Sequence, residues 1–187
     1  MGKRAEKIDE TWQRIVEAAA HLHGTVGPAA TTIAGIAREA GVTRLTVYRH
    51  FPDEEAIFEA CSAHWMSGQV PPNPAAWAEI ADPVERLRAG LADLYRFYRE
   101  GEPMLTRVYR DKAALPAGRR TAIDARDGHI RDLLRAPFAT DSHRLGAVLA
   151  HAASFWTWRS LCFAHGLSEA EAVEAMVTLA VATAPPD

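Results

Sequence analysis

The chain has 187 residues and a formal net charge of −3, and 48% of its residues are hydrophobic while 24% are charged. This composition can form a packed core, which excludes an intrinsically disordered chain, and the weak net charge excludes a uniformly basic nucleic-acid binder. No run of about 18 apolar residues is present, the N-terminus is polar where a signal peptide would be apolar, and the two cysteines form no CxxC pair, so we expect a cytoplasmic protein with no membrane association.

Four helices are predicted in the first third of the chain from apolar residues spaced three and four apart and from capping signals. The segments are about Ile8–His23, a short helix capped by Thr31 or Thr32 and ending near Ala40, another capped by Thr43 and ending near His50, and one with Pro52 in its first turn that ends near Ser67. Residues 1–51 carry seven basic and five acidic groups, whereas the other 136 residues carry 14 and 19. This asymmetry favours an N-terminal part that faces DNA.

Five more helices are predicted after the proline-rich connection at residues 71–74, which we interpret as a bent link between helices. They cover about Pro83–Tyr98 after the N-cap Asp82, Pro103–Lys112, Gly118–Arg135, Ser142–His165, and Glu169–Thr183, the last opened by a capping box from Ser168 to Glu171. The sequence therefore predicts an all-α fold of about nine helices.

The segment from Thr32 to Phe51 has the spacing of a helix-turn-helix. A small residue, Ala37, allows two short helices to approach, Gly41 allows a positive φ in the turn, and Val47 locks the second helix onto the first. That second helix is too polar for a core, because it carries Thr43, Arg44, Thr46, Tyr48, Arg49 and His50. A recognition helix in the major groove needs such donors, with arginine for guanine edges and hydroxyl or imidazole groups for bases and phosphates.

Two segments within this motif resemble the signature of the TetR (tetracycline repressor) family: Ala37-Arg38-Glu39-Ala40-Gly41-Val42 and Thr46-Val47-Tyr48-Arg49-His50-Phe51-Pro52. The resemblance implies a three-helix DNA-binding head at residues 1–52 and a larger helical body for ligand binding and dimerisation at residues 53–187. It also implies that Thr43, Arg44 and Thr46 enter the major groove. Phosphates would be bound by Thr32, Tyr48 and His50, with Lys3 and Arg4 adding contacts from the N-terminal arm.

The residues that follow the motif depart from the family pattern. The family usually has a small polar residue and then a lysine after the Phe-Pro pair, whereas this chain has Asp53, Glu54 and Glu55. A carboxylate near a phosphate is repulsive, so we expect Glu54 either to point away from DNA or to weaken its binding.

The body is expected to contain both an effector pocket and a dimer interface. Aromatic walls with a few polar tips suit a planar or apolar ligand, and the candidate lining residues are Trp65, Tyr95, Tyr98, Met104, Val108, Phe155 and Trp158. The last two helices are apolar on more than one face, and a two-fold partner would cover the excess. The predicted interface residues are Leu145, Val148, Leu149, Ala152, Trp156, Val173, Met176, Val177 and Ala180.

Other site chemistries find little support in the sequence. The eight histidines lack metal-ligand spacing, and Ser160, Cys162 and His165 share one helix without an orienting acid, so we expect no metal, no cofactor and no enzymatic activity. The predicted function is that of a homodimeric repressor released from a near-palindromic double-stranded DNA operator by a small-molecule effector. The alternatives are an activator or ligand-independent regulator, and a helical ligand- or protein-binding module with weak or lost DNA affinity.

Overall fold

A computed structural model describes residues 2–184, with side chains from Ile8 onward, and this part of the chain contains helices and turns but no strand. The helices are α1 (Gly2–Thr25), α2 (Ile33–Glu39), α3 (Arg44–His50), α4 (Glu54–Ser67), α5 (Pro74–Ala78), α6 (Pro83–Glu100), α7 (Glu102–Arg110), α8 (Ala117–Arg135), α9 (His143–Ala152), α10 (Phe155–Trp158) and α11 (Glu169–Thr183). The all-α prediction is confirmed, with eleven helices in place of about nine. Within the same residues, no helix has both the length and the apolarity that a membrane crossing requires.

Side-chain caps fix most of the helix starts that the sequence predicts. The hydroxyl of Thr32 accepts a hydrogen bond from the backbone N–H of Gly35 at 3.0 Å at the start of α2. Thr43 caps α3 in the same way. Ser168 and Glu171 form the predicted reciprocal capping box at the start of α11. These hydroxyls satisfy backbone donors that have no partner inside a helix, which explains why the boundaries are readable from sequence.

Two helix boundaries differ from the prediction because other residues supply the caps. Asp53 caps α4 through a 2.8 Å bond from the N–H of Ala56, so Pro52 lies outside that helix. The proline-rich connection contains the extra helix α5, which Asn73 caps.

The helix predicted over residues 142–165 is interrupted. Ser154 has an extended backbone with ψ 136° and caps α10, which continues into a π-helix at Arg159–Ala164. The break leaves carbonyl groups at Ala152 and Ala153, and the hydroxyls of Tyr95 and Tyr98 donate to them at 2.8 Å each. The prediction of one continuous helix was wrong because these two distant tyrosines stabilise the break.

The chain forms two compact units. Unit 1 comprises Met1–Val70 and Gly101–Ala122, and unit 2 comprises Pro71–Glu100 and Ile123–Asp187. Unit 1 includes α4 because Ile57 and Cys61 lie in the same buried cluster as Ile15 and Val16 of α1. The functional boundary at residue 52 stays a prediction, since the units reflect packing rather than function.

Unit 2 is built around α6, whose apolar face packs against α11 and whose leucines Leu87, Leu91 and Leu94 are fully buried. Seven of the nine predicted dimer-interface residues belong to this core: Leu145, Leu149, Ala152, Val173, Met176, Val177 and Ala180. They have almost no surface left to bury against a partner. The prediction assumed that the chain had too few elements to cover the last helices. Within one protomer, however, α11 packs against both α6 and α9, so the assignment of these seven residues is corrected.

In unit 1 the C-terminal end of α7 holds the loop that leads from α1 to α2. Arg107 donates from Nε to the carbonyl of Thr25 at 2.6 Å, and Arg110 donates from Nη2 to the carbonyl of Val26 at 3.1 Å. The carboxylate of Asp111 accepts from the N–H of Ala29 at 3.1 Å. Between these contacts lies Gly27, which is buried and has φ 98°.

Replacing Gly27 tests this contact directly. A Cβ at residue 27 would overlap the Arg110 guanidinium and the Asp111 carboxylate, and its φ would also be strained. We expect Gly27→Ala to lower the free energy of unfolding by about 3 kcal/mol, measured by urea denaturation. The matched control is Gly166→Ala, because Gly166 has φ 71° but open space around it, and it should cost about 1 kcal/mol. Equal losses in the two variants would contradict the close packing at Gly27.

Candidate nucleic-acid interface

The helix-turn-helix predicted from the sequence is present in α2, the following turn and α3. Ala37 is 3% exposed where the two helices meet, and Gly41 has φ 65° in the turn. Val47 is completely buried and belongs to the same cluster as Ile36 and Ile15. One apolar side chain thus attaches α3 to the core and leaves its opposite side open.

The exposed surface of α3 carries long donor side chains. Arg44, Tyr48 and Arg49 are exposed, and none of them has a hydrogen-bond or ion-pair partner among the side chains that the structure describes, from residue 8 onward. They are therefore available to an external acceptor. The sequence analysis counts Arg49 among the donors of the helix but assigns it no DNA contact. Its position two residues after the buried Val47 turns its side chain outward.

The threonines of the motif are already engaged in capping. Thr43 Oγ1 accepts from the N–H of Thr46 and lies 2.9 Å from the hydroxyl of Thr46, so one of the two hydroxyls donates to the other. The pair keeps one hydroxyl proton for an outside acceptor. The hydroxyl of Thr32 accepts a hydrogen bond from the backbone N–H of Gly35, and it likewise keeps its own proton for an outside acceptor.

The remaining predicted DNA contacts lie at the edges of this surface. His50 is half-buried in the last turn of α3. Glu54 is exposed at the first residue of α4, where a carboxylate suits the positive end of the helix dipole. The side chains of Lys3 and Arg4 lie outside the described residues.

A buried histidine lies below the start of α2 and was not singled out from the sequence. His23 is 5% exposed, stacks on Phe58 with a centroid separation of 4.3 Å, and has its Nδ1 3.3 Å from Sγ of Cys61. Burial lowers the pKa of His23 to about 4 and raises the pKa of the Cys61 thiol to about 12. Both groups are therefore neutral at pH 7. Together with Thr32 and Glu54, the histidine borders a cavity of about 50 Å³.

The structure divides the predicted effector residues between the two units. Trp65, Met104 and Val108 lie in unit 1, whereas Tyr95, Tyr98, Phe155 and Trp158 lie in unit 2. Those four form one cluster, in which the ring of Tyr98 is 5.4 Å from Phe155 and 6.0 Å from Trp158. Tyr95 lies 6.4 Å from Tyr98, and its pKa is raised by burial.

The aromatic cluster borders a polar cavity. Within unit 2, Tyr98 and Phe155 line a cavity of about 180 Å³ together with Asp124, Asp127 and Arg131. The indole N–H of Trp158 is buried and lacks an acceptor among the described residues. Because the hydroxyls of Tyr95 and Tyr98 donate to backbone carbonyls, the indole is the donor of this cluster that remains unsatisfied.

Comparison with known proteins finds a family match in the N-terminal part of the chain. Residues 15–61 match the model described as bacterial regulatory proteins, tetR family. The similarity to the TetR family therefore covers the N-terminal segment that contains α2 and α3. A 61-residue segment is 41% identical to the HTH-type transcriptional regulator SrpR of Pseudomonas putida, covering 33% of this chain and 29% of that protein. The matched segment thus spans less than a third of SrpR.

Solved structures extend the similarity over nearly the whole chain. The TetR-family regulator PfmR of Thermus thermophilus superimposes with a TM-score of 0.63 at 24% identity, covering 92% of this chain and all of PfmR, which shows a shared fold. AibR, solved in complex with isovaleryl coenzyme A and operator DNA, superimposes with a TM-score of 0.61 at 25% identity, covering 95% of this chain and 100% of AibR.

The buried histidine makes the stability of the fold depend on pH. The folded-state pKa of about 4 lies below the ordinary value of 6.5, so His23 binds a proton more readily in the unfolded chain. The contribution of His23 to the free energy of unfolding is complete above pH 6.5, and it is lost as the pH falls towards 4. Between pH 7.5 and pH 5.0 the free energy of unfolding should fall by about 2 kcal/mol from this group.

Urea denaturation of the full chain at the two pH values measures this effect. His23→Leu removes the titrating group and should flatten the dependence by that amount. His143→Leu is the matched control, because His143 is exposed, and it should keep the full dependence. An unchanged pH dependence in His23→Leu would show that another group is responsible.

Proposed function

We propose that this protein is a transcriptional regulator that binds operator DNA in the cytoplasm with α3 in the major groove. The observation that carries the proposal is the exposed side of α3, where Arg44, Tyr48 and Arg49 have no partner within the described chain while Val47 fixes the helix from below. A short helix that exposes unpaired donors is what groove recognition requires. The operator DNA bound to AibR and the regulator SrpR support this assignment.

The side chains of the motif take different roles in this proposal. Arg44 reads a guanine, because its guanidinium can donate two parallel hydrogen bonds to O6 and N7. Tyr48 and His50 donate to phosphates, together with the hydroxyl protons that remain on Thr32 and on the Thr43–Thr46 pair. Lys3 and Arg4 add phosphate contacts from the N-terminal arm.

A small molecule bound to the body regulates this DNA binding. The aromatic cluster of unit 2 and its 180 Å³ cavity offer ring surfaces and a few charged groups, which is the composition of a ligand site. An effector that favours a conformation with a poor fit to the operator lowers DNA affinity by linkage, which makes the protein a repressor released by its ligand. The isovaleryl coenzyme A bound to AibR supports an effector-responsive mode of action.

The regulator acts as a homodimer on a near-palindromic operator. Of the predicted interface residues, Trp156 is 44% exposed, and the helical segments at the end of the chain also expose Phe163, Leu179 and Val181. Large apolar side chains that a protomer leaves uncovered suit a two-fold interface with a second copy. Two heads would then contact half-sites separated by about one turn of DNA, roughly 34–36 Å.

A second candidate function rests on Glu54. A carboxylate beside the recognition helix opposes phosphate binding, which suits a helical ligand- or protein-binding module whose DNA affinity is weak or lost. Selection of DNA sequences from a random pool by the full chain decides between the two candidates, because the module would enrich no sequence.

Mutation of α3 tests the DNA assignment on the selected operator. Arg44→Ala should cost roughly 1–3 kcal/mol and relax the preference at one base pair, whereas Tyr48→Phe should weaken binding to all sequences alike. Gel-shift titration at fixed salt measures both, with Arg144→Ala in α9 as the control at another exposed arginine. Equal operator affinity in the wild type and in an Arg44→Ala/Tyr48→Ala double variant would refute the assignment.

The dimer is tested by sedimentation equilibrium at low micromolar protein. The wild type should have twice the chain mass of 20.5 kDa. A Phe163→Glu/Leu179→Glu variant should shift towards monomer, because the charges would be buried at the interface. Val26→Glu in unit 1, at a residue of 46% exposure, should remain dimeric. A wild-type monomer with intact DNA binding would contradict the two-headed arrangement.

A further inference from the structure

One residue of α3 does not fit a surface made for phosphates. Leu45 is the second residue of the helix and its side chain is 61% exposed. A leucine has no donor for a phosphate oxygen, and its exposure to water is unfavourable in the free protein. It stands between Arg44, which is exposed and unpaired within the described chain, and Thr46, which is engaged in the cap.

Helical geometry shows how Leu45 is presented. Successive residues of an α-helix are separated by about 100°, so a residue two positions from the buried Val47 lies about 160° from it around the axis. Leu45 and Arg49 are the two residues in this position, and we call them the outer ridge of α3. Tyr48 and Thr46 lie on its flanks, about 100° from Val47. The outer ridge reaches furthest from the core, and a helix that enters a groove brings such a ridge closest to the base pairs.

The major groove offers one apolar group, the C5-methyl of thymine. Residues near the N-terminus of a recognition helix contact base edges, and Leu45 is at that end of the outer ridge. We infer that Leu45 contributes to sequence specificity by contacting the C5-methyl group of a thymine. The inference rests on the proposed function and adds to it an apolar contact beside the hydrogen bonds of Arg44.

The methyl group can be removed from the DNA without changing its base pairing. The operator is first obtained by sequence selection with the full-length protein, and each thymine is then replaced in turn by deoxyuridine. For the wild type, deoxyuridine at one position in each half-site should weaken binding about fourfold, as expected for one buried methyl group. Leu45→Ala should bind the thymine and deoxyuridine forms of that position with equal affinity.

A matched variant separates this effect from a general loss of apolar surface. Val70→Ala shortens another aliphatic side chain of comparable exposure, 67%, outside α3, and it should keep the fourfold preference for thymine. Since Leu45 is exposed, Leu45→Ala should unfold at the same temperature as the wild type, which thermal denaturation verifies.

Two failures are distinguishable. If the wild type selects no sequence, the proposed function itself is refuted, and the inference falls with it. If an operator is selected but the wild type is insensitive to deoxyuridine at every position, or Leu45→Ala keeps the thymine preference, DNA recognition stands and the methyl contact is refuted.

Discussion

The burial of Val47 is the constraint on which the exposed surface of α3, the proposed DNA contact, depends. A helix of seven residues is unstable in isolation, so α3 keeps its shape through its cap and its contact with the core. Val47 is the residue of α3 that is fully buried, and it leaves Tyr48 and Arg49 without partners among the side chains that the structure describes. Anchoring at one point and exposure elsewhere are therefore two consequences of the same packing, and a second buried residue in α3 would reduce the surface left for DNA.

The loop before α2 shows how the position of this motif is set by residues far away in sequence. Arg107 and Arg110 donate to carbonyls at the end of α1, and Asp111 accepts from Ala29, so the C-terminal end of α7 holds the segment that leads directly into α2. Gly27 permits the approach because a side chain there would occupy the space of the arginine and the carboxylate. A displacement of the end of α7 must move this loop or break three hydrogen bonds, which makes α7 the part of unit 1 best placed to transmit a change to α2.

Local chemistry explains which features could be predicted from the sequence. The caps at Thr32, Thr43 and Ser168, the turn at Gly41 and the anchor at Val47 each depend on neighbours within about one helical turn, and all are present. The burial of Val173 and Val177 depends on α6, more than 50 residues earlier in the chain, and apolar periodicity cannot distinguish a face covered by the same chain from one covered by a second copy. The same limit applies to His23, whose environment comes from α4.

The threonines of the motif show that capping and recognition need not exclude each other. A hydroxyl offers two acceptor positions and one proton, and capping uses an acceptor position. Thr32 therefore fixes the start of α2 and still has a proton for a phosphate, while Thr43 and Thr46 share one remaining proton. Base discrimination by two hydroxyls that are already bonded to each other is weak, because neither can reorient without losing that bond. In the proposed complex, specificity then comes from side chains without such a constraint, which are those of Arg44, Tyr48 and the outer ridge.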